Sequence, residues 1–286
     1  MITNIKTKLI KKFDFLGFFL FALGLTCLSI GFEIIGDTAS INLISITLFV
    51  CSMCFFLSYV SHIQQIKIEP IIDSSIFKVQ TFKIGILGNL ISRISFGGVP
   101  YLLSLMFQLA LGLDVIQTSM LMLIMGSGLL VMKVIGKKTI SMFGFKQLLI
   151  INGVLSSIFT IAISLIDTNL PYYLTAFILF FYGATTSLQL TTMNIINYVD
   201  ILDEQTSSAT SMSAVIQQTG WGIGVAVAAF FLAYFSTHYH LTGNQLIEAF
   251  HYTFIVLSVI CLASVPVFMR LNAGDGQHVS GYVFHK

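Results

Sequence analysis

Charge is what this chain has least of. Only 9% of its 286 residues are Asp, Glu, Lys or Arg, against about 25% in ordinary soluble domains. With 56% apolar residues and a mean hydropathy of +0.92, it has too little polar surface to coat a globule of this size. A water-soluble fold is excluded, and the bilayer must act as the solvent. Cysteine is also scarce: Cys27, Cys51, Cys54 and Cys261 all lie in apolar runs. Thiolates are unfavourable there, so the Cys51–Cys54 pair reads as small apolar filler rather than a redox or metal site. No paired carboxylates, no nucleophile beside a base and no phosphate-cradling glycine loop stand out, so the chain does not read as an enzyme. The net charge of +2 gives no reason to expect a nucleic acid partner. No cofactor or metal is expected, and the histidines of "HYH" at 238–240 form only a weak candidate for one.

What the chain has instead is long apolar runs. A membrane-crossing helix needs about 20 mostly apolar residues, and eight segments qualify: 13–35, 40–61, 84–109, 116–135, 147–166, 171–194, 210–235 and 247–269. In hydrocarbon every backbone amide must be paired internally, so such runs are helices. The expected fold is therefore an all-α integral membrane protein with eight transmembrane helices. The first run follows the basic stretch "KTKLIKKF", but it is longer than a signal peptide's apolar region and lacks a small-residue cleavage site. It reads as a retained span.

The basic residues set the orientation. If the chain starts inside, every Lys and Arg except Arg93 falls on inner segments, including Lys67, Lys78, Lys83, Lys133, Lys137, Lys138, Lys146 and Arg270. The outer loops, near 36–40, 110–116, 167–170 and 236–246, have none. Eight spans with both termini cytoplasmic is the expected topology, in a bacterial inner membrane. The longest inner loop, 62–83, contains Pro70, which breaks a helix. It divides the chain into two helices over 1–70 and six over 71–286. Within it, "IIDSSIFKVQTFKIG" reads as a short surface helix leading into the third span.

Arg93 is the exception to the charge pattern. It lies about ten residues into its span, roughly 14 Å deep at about 1.5 Å per residue, close to the middle of a core about 30 Å thick. Asn89, Arg93, Gly97 and Tyr101 recur every four residues and share one helix face. Two readings are open: a residue facing a bundle interior or wet cavity, or a side chain snorkelling to the cytoplasmic headgroups. Gly97, Gly98 and Pro100 weaken the same helix, either as a packing kink or as the interrupted backbone found at transporter sites. In the sixth span Thr185, Gln189 and Thr192 share a face, with Asn194 and Asn197 near its inner end. That face lines a cavity or packs between helices. In the seventh, Gly220, Gly224 and Ala228 recur every fourth residue, the small-residue spacing that lets helices approach closely. Gln217, just before them, is a candidate for substrate contact. The acids stay at span ends: Glu33, Asp37, Asp114, Asp167 and Glu248 at the outer boundary, Asp14, Asp200, Asp203 and Glu204 at the inner.

Four stretches carry a resemblance: "FDFLGFFLFALGLTCLSIGFE", "NLISRISFGGVPYLLSLMFQLALG", "GKKTISMFGFKQLLIINGV" and "MNIINYVDILDEQTSSATSMSAVIQQTGWGIGVAVA". In this order they resemble the second half of a major facilitator superfamily protein, specifically the fourteen-span drug:proton antiporter family. In that family two extra spans link two six-helix bundles, which is similar to the division at 62–83. The resemblance implies two linker spans plus the carboxyl-terminal half-bundle. It also implies efflux of hydrophobic or cationic small molecules against inward proton flow. The family's cytoplasmic loop pattern maps onto Gly136, Lys137, Lys138, Gly144 and Lys146, without the acid and arginine of its stronger form. Arg93, Asn89, Tyr101, Gln189 and Gln217 would line the substrate cavity. A full member has about six further spans before this region, which hold the family's intramembrane acid; this chain has no midspan carboxylate to replace it. The expected partners are thus a small-molecule substrate, protons, the lipid bilayer and a separate amino-terminal transporter half. The alternative is a self-contained eight-span binding or scaffold protein that moves nothing.

Overall fold

The structure, a computed structural model, describes residues 14–38, 42–65, 74–238, 246–272 and 274–280. Among these residues all regular structure is helical. Seven helical segments are long and apolar enough to cross a membrane: Phe15–Phe32, Leu43–His62, Gln80–Ala110, Val115–Ile163, Tyr172–Ile196, Asp203–Thr237 and Leu246–Phe268. The helices are α1 (Phe15–Thr38), α2 (Leu43–Gln65), α3 (Gln80–Leu105), α4 (Val115–Ile163), α5 (Tyr172–Ile196), α6 (Thr206–His238), α7 (Leu246–Ala263), α8 (Val265–Phe268) and α9 (Gln277–Ser280). Large apolar side chains cover the outside, with Leu123 72% and Val134 84% exposed. Such a surface fits only a hydrocarbon surround, and the chain is an integral membrane protein.

The difference from eight expected spans lies in α4. At 49 residues it covers both the fourth and fifth expected runs. The loop expected at 136–146 is helical up to a break at Gly144, where φ is 70° and ψ is 169°. That backbone region is almost closed to residues with a Cβ. The break folds the helix back on itself. Leu129 and Asn152 would stand about 34 Å apart on a straight helix at about 1.5 Å per residue, yet both meet α5 at one height. The Ser187 hydroxyl donates to the Leu129 carbonyl (2.8 Å), and the Asn152 amide donates to the Thr185 carbonyl (2.8 Å). Leu121 shares an apolar cluster with Ile163, and Ile140 shares one with Phe145 and Leu148, as two antiparallel arms require.

Local sequence sets several helix ends. Asp114 starts α4 by a capping box: its carboxylate accepts from the Gln117 amide (2.7 Å), and the Gln117 side chain accepts from the Asp114 amide (3.1 Å). The α3 helix continues through Gly97, Gly98 and Pro100 without interruption. It widens only at Met106–Ala110, where a π turn closes with the Leu111 amide donating to the Met106 carbonyl (3.0 Å). The short helix expected before α3 is a 3-10 turn at Ser74–Lys78. Pro70 and the boundary assigned to it lie outside the described residues, as does His240.

The bundle core is two apolar layers. One holds Leu102, Leu103, Phe107, Leu179, Phe250 and Phe254; the other holds Phe96, Leu149, Leu188, Met193 and Phe268. Between these apolar side chains the core also buries the polar residues Asn89, Ser92, Arg93, Asn152, Ser157, Gln189 and Ser258. Tyr59, Ile76, Phe82, Ile86 and Ala209 form a third, smaller cluster with Leu20 and Phe21 that seats α1 and α2 on α3 and α6.

Candidate functional site

Arg93 is only 4% exposed. Its Nε donates to the Asn89 amide oxygen one turn back on α3. Its Nη2 donates to the Asn194 amide oxygen on α5 (3.2 Å) and to that of Gln217 on α6 (3.0 Å). Its Cζ lies 5.8 Å from the centroid of the Trp221 ring, within cation–π range. The side chain therefore bridges three helices and faces the bundle. Among the described residues no carboxylate pairs with it, and its charge is held by neutral amide dipoles and one aromatic face. Beside it the Asn89 side-chain nitrogen and the Ser92 hydroxyl are buried with no hydrogen-bond partner among the described residues.

Close backbone approach between α3 and α6 brings the guanidinium to its partners. A Cβ on Gly220 would lie 2.8 Å from the Arg93 Cβ. One on Gly224 would strike the Ile94 carbonyl, and one on Gly98 would lie 2.9 Å from the Gly224 carbonyl and 3.0 Å from the Ala228 Cβ. A Cβ on Gly97 would come within 2.8 Å of the Trp221 carbonyl. Gly97 and Gly98 thus serve contact rather than a break in the helix. Gly220, Gly224 and Ala228 form one facing stripe with them.

Two other candidates lie elsewhere. Gln189, 1% exposed, accepts from Asn152 (2.9 Å) and donates to the Leu149 carbonyl (3.3 Å), joining α5 to the second arm of α4. No hydrogen bond links it to Arg93. Tyr101, two turns beyond Arg93, is half-buried against the apolar layer that holds Leu102 and Phe107. In the loop pattern Gly136 is buried, Lys137 and Lys138 are exposed, Gly144 makes the turn and Lys146 is half-buried.

Several members of these networks were not singled out from the sequence. Asn152 is a lone amide in an apolar run, and nothing in its neighbourhood marks it. Ser157 and Ser258, whose hydroxyls meet at 2.8 Å across α4 and α7, are separated by 101 positions. Trp221 lies four residues beyond Gln217, and that helical spacing was the available signal.

No family model matches the chain. It is similar to the Haemophilus influenzae protein named "Probable transport protein HsrA", 29% identical over 279 residues covering 98% of this chain and 60% of that protein. It is also similar to the Escherichia coli protein named "Putative multidrug resistance protein MdtD", 26% identical over 271 residues, 94% of this chain and 57% of that one. The chain thus spans a little under two thirds of the length of the curated relatives it matches.

Proposed function

We propose that this chain is the carboxyl-terminal portion of a drug:proton antiporter-like efflux protein of the major facilitator type, moving hydrophobic or cationic small molecules. The two arms of α4 each cross once, giving eight passes: two linker helices, α1 and α2, and a six-helix half-bundle. Its basic ends face the cytoplasm. Activity needs a second bundle, because transport of this kind uses a cavity between two bundles that rock around a midplane site. The named relatives and their greater length support this reading.

The observation that carries it is the guanidinium of Arg93, buried near the middle of a span among amides from three helices. An intramembrane arginine is unfavourable by about 2.5–3.5 kcal/mol on insertion scales, and such residues mark substrate or ion paths. In this reading Arg93, Asn89 and Gln217 form this half's polar wall, with Tyr101 above them and Gln189 holding the neighbouring helices. Proton coupling then falls to an acid on the other bundle.

The test is Arg93→Ala in an assembly that contains the complementary bundle. Drug efflux should fall to background while the protein remains in the membrane; undiminished efflux removes Arg93 from the mechanism. Arg93→Lys keeps the charge but loses the planar fork that reaches three amides, and should restore efflux only in part.

A further inference from the structure

The inner part of the first α4 arm, α5 and α9 enclose a groove of about 660 Å³. Lys133, Lys137 and Lys138 line it. Lys133 and Lys137, four residues apart, share one helix face, and Lys138 reaches the same groove from the adjacent position. No acid contributes to the lining, and none of the three lysines has an ion-pair partner among the described residues. Opposite them Thr191 of α5 offers a hydroxyl that also lacks a hydrogen-bond partner there. Three ammonium groups along one groove with no counter-charge among the described residues favour an anion beside them.

Apart from Ser141, whose hydroxyl donates to the Lys138 carbonyl (2.8 Å), the rest of the wall is apolar. Phe145, Ile195 and Val279 contribute to it, as does Val134, which is 84% exposed on the outer surface of the bundle. The groove therefore opens sideways onto the surface that meets hydrocarbon, as well as carrying fixed positive charge. A soluble anion needs the charge alone; a ligand with a phosphate head and an acyl body uses both. Basic pockets between membrane helices on the cytoplasmic side take anionic headgroups for this reason.

We propose that this groove binds one anionic phospholipid from the cytoplasmic leaflet. The lysines and Thr191 take its phosphate, and the Val134 side takes its first methylenes. The inference rests on the orientation proposed above but not on transport. The lipid would tie the first α4 arm to α5 and α9 at the turn made by Gly144.

The experiment uses the full chain in detergent, titrated with phosphatidylglycerol and with phosphatidylcholine of the same acyl chains, lipid retention being read by native mass spectrometry. Phosphatidylglycerol should be retained about tenfold or more over phosphatidylcholine. Lys133→Gln and Lys137→Gln should each weaken it by about fivefold, the effect of one basic residue near an anionic surface. Lys146→Gln, outside the groove, should leave retention unchanged. Equal retention of the two lipids overturns the proposal, even if the variants fail to fold. So does an effect of Lys146→Gln as large as that of the groove variants, which would indicate diffuse surface charge. Glycerol phosphate competing on equal terms would likewise overturn it in favour of a soluble phosphate site.

Discussion

At the scale of single residues, two charged side chains show opposite solutions to the same problem. Arg93 is buried without a counter-charge among the described residues and relies on amide oxygens. Asp14 sits at the membrane boundary, where its carboxylate accepts from the Gly17 amide (2.9 Å) and meets His62 Nε2 (2.9 Å). Partial burial raises the Asp14 carboxyl, but the Gly17 amide and His62 outweigh it and hold it below the ordinary carboxylate range. A depressed carboxyl contributes stability above its unfolded pKa, about 3.9 for Asp, and loses it as pH falls through the folded value. The start of α1 and its join to α2 should therefore weaken below about pH 4. Thermal unfolding in detergent should show the wild type losing this increment between neutral and strongly acid pH, and Asp14→Asn lacking it throughout. The charge of Arg93 was legible in the sequence. Its partner Asn194, noted only as lying near a helix end, was not, because 101 positions separate the two.

At the scale of helices, glycine decides where backbones touch. Gly128 on α4 and Gly183 on α5 face each other. A Cβ on Gly128 would strike the Phe180 carbonyl, and one on Gly183 would strike the Met125 carbonyl. In lipid, helix association depends on such close packing rather than on hydrophobic burial. Gly183→Ala should cost about 1–3 kcal/mol by overpacking. Gly126→Ala is the matched control: nothing lies within 4 Å of its Cβ position. It should gain about 0.5–1 kcal/mol from helix propensity. Unfolding of the purified variants in detergent separates the two outcomes. Gly144 acts differently, through its backbone. Gly144→Ala should cost about 1–3 kcal/mol through strain at the turn and loosen the pairing of the α4 arms. Loss of distance restraints between labels at residues 121 and 163 would report it. The Gly220, Gly224 and Ala228 stripe was readable from its period, whereas the pairing of Gly128 with Gly183 was not, since its two members lie on different helices.

At the scale of the molecule, the proposed function makes this bundle one wall of a two-walled cavity. Expressed with a complementary six-helix half, the chain should persist longer in the membrane and confer efflux; expressed by itself it should confer none. Drug accumulation and pulse-chase lifetime measure the two effects. Efflux from this chain without a second half would contradict the proposed division of labour.

The sequence by itself determined that the chain is helical and membrane-embedded. Both follow from summed properties: apolar runs of the length of a bilayer core, and the need to pair every amide within hydrocarbon. Its small-residue spacing also placed one helix contact face. Tertiary structure alone decided what that face meets. It showed that Arg93 faces the bundle rather than the headgroups, that Gln189 pairs with Asn152 instead of Arg93, and that Gly97 and Gly98 seat a neighbour rather than break a helix. It also turned an expected loop into a single sharp reversal at Gly144. Each of these depends on which side chain arrives from a distant part of the chain, and periodicity within one helix carries no record of that.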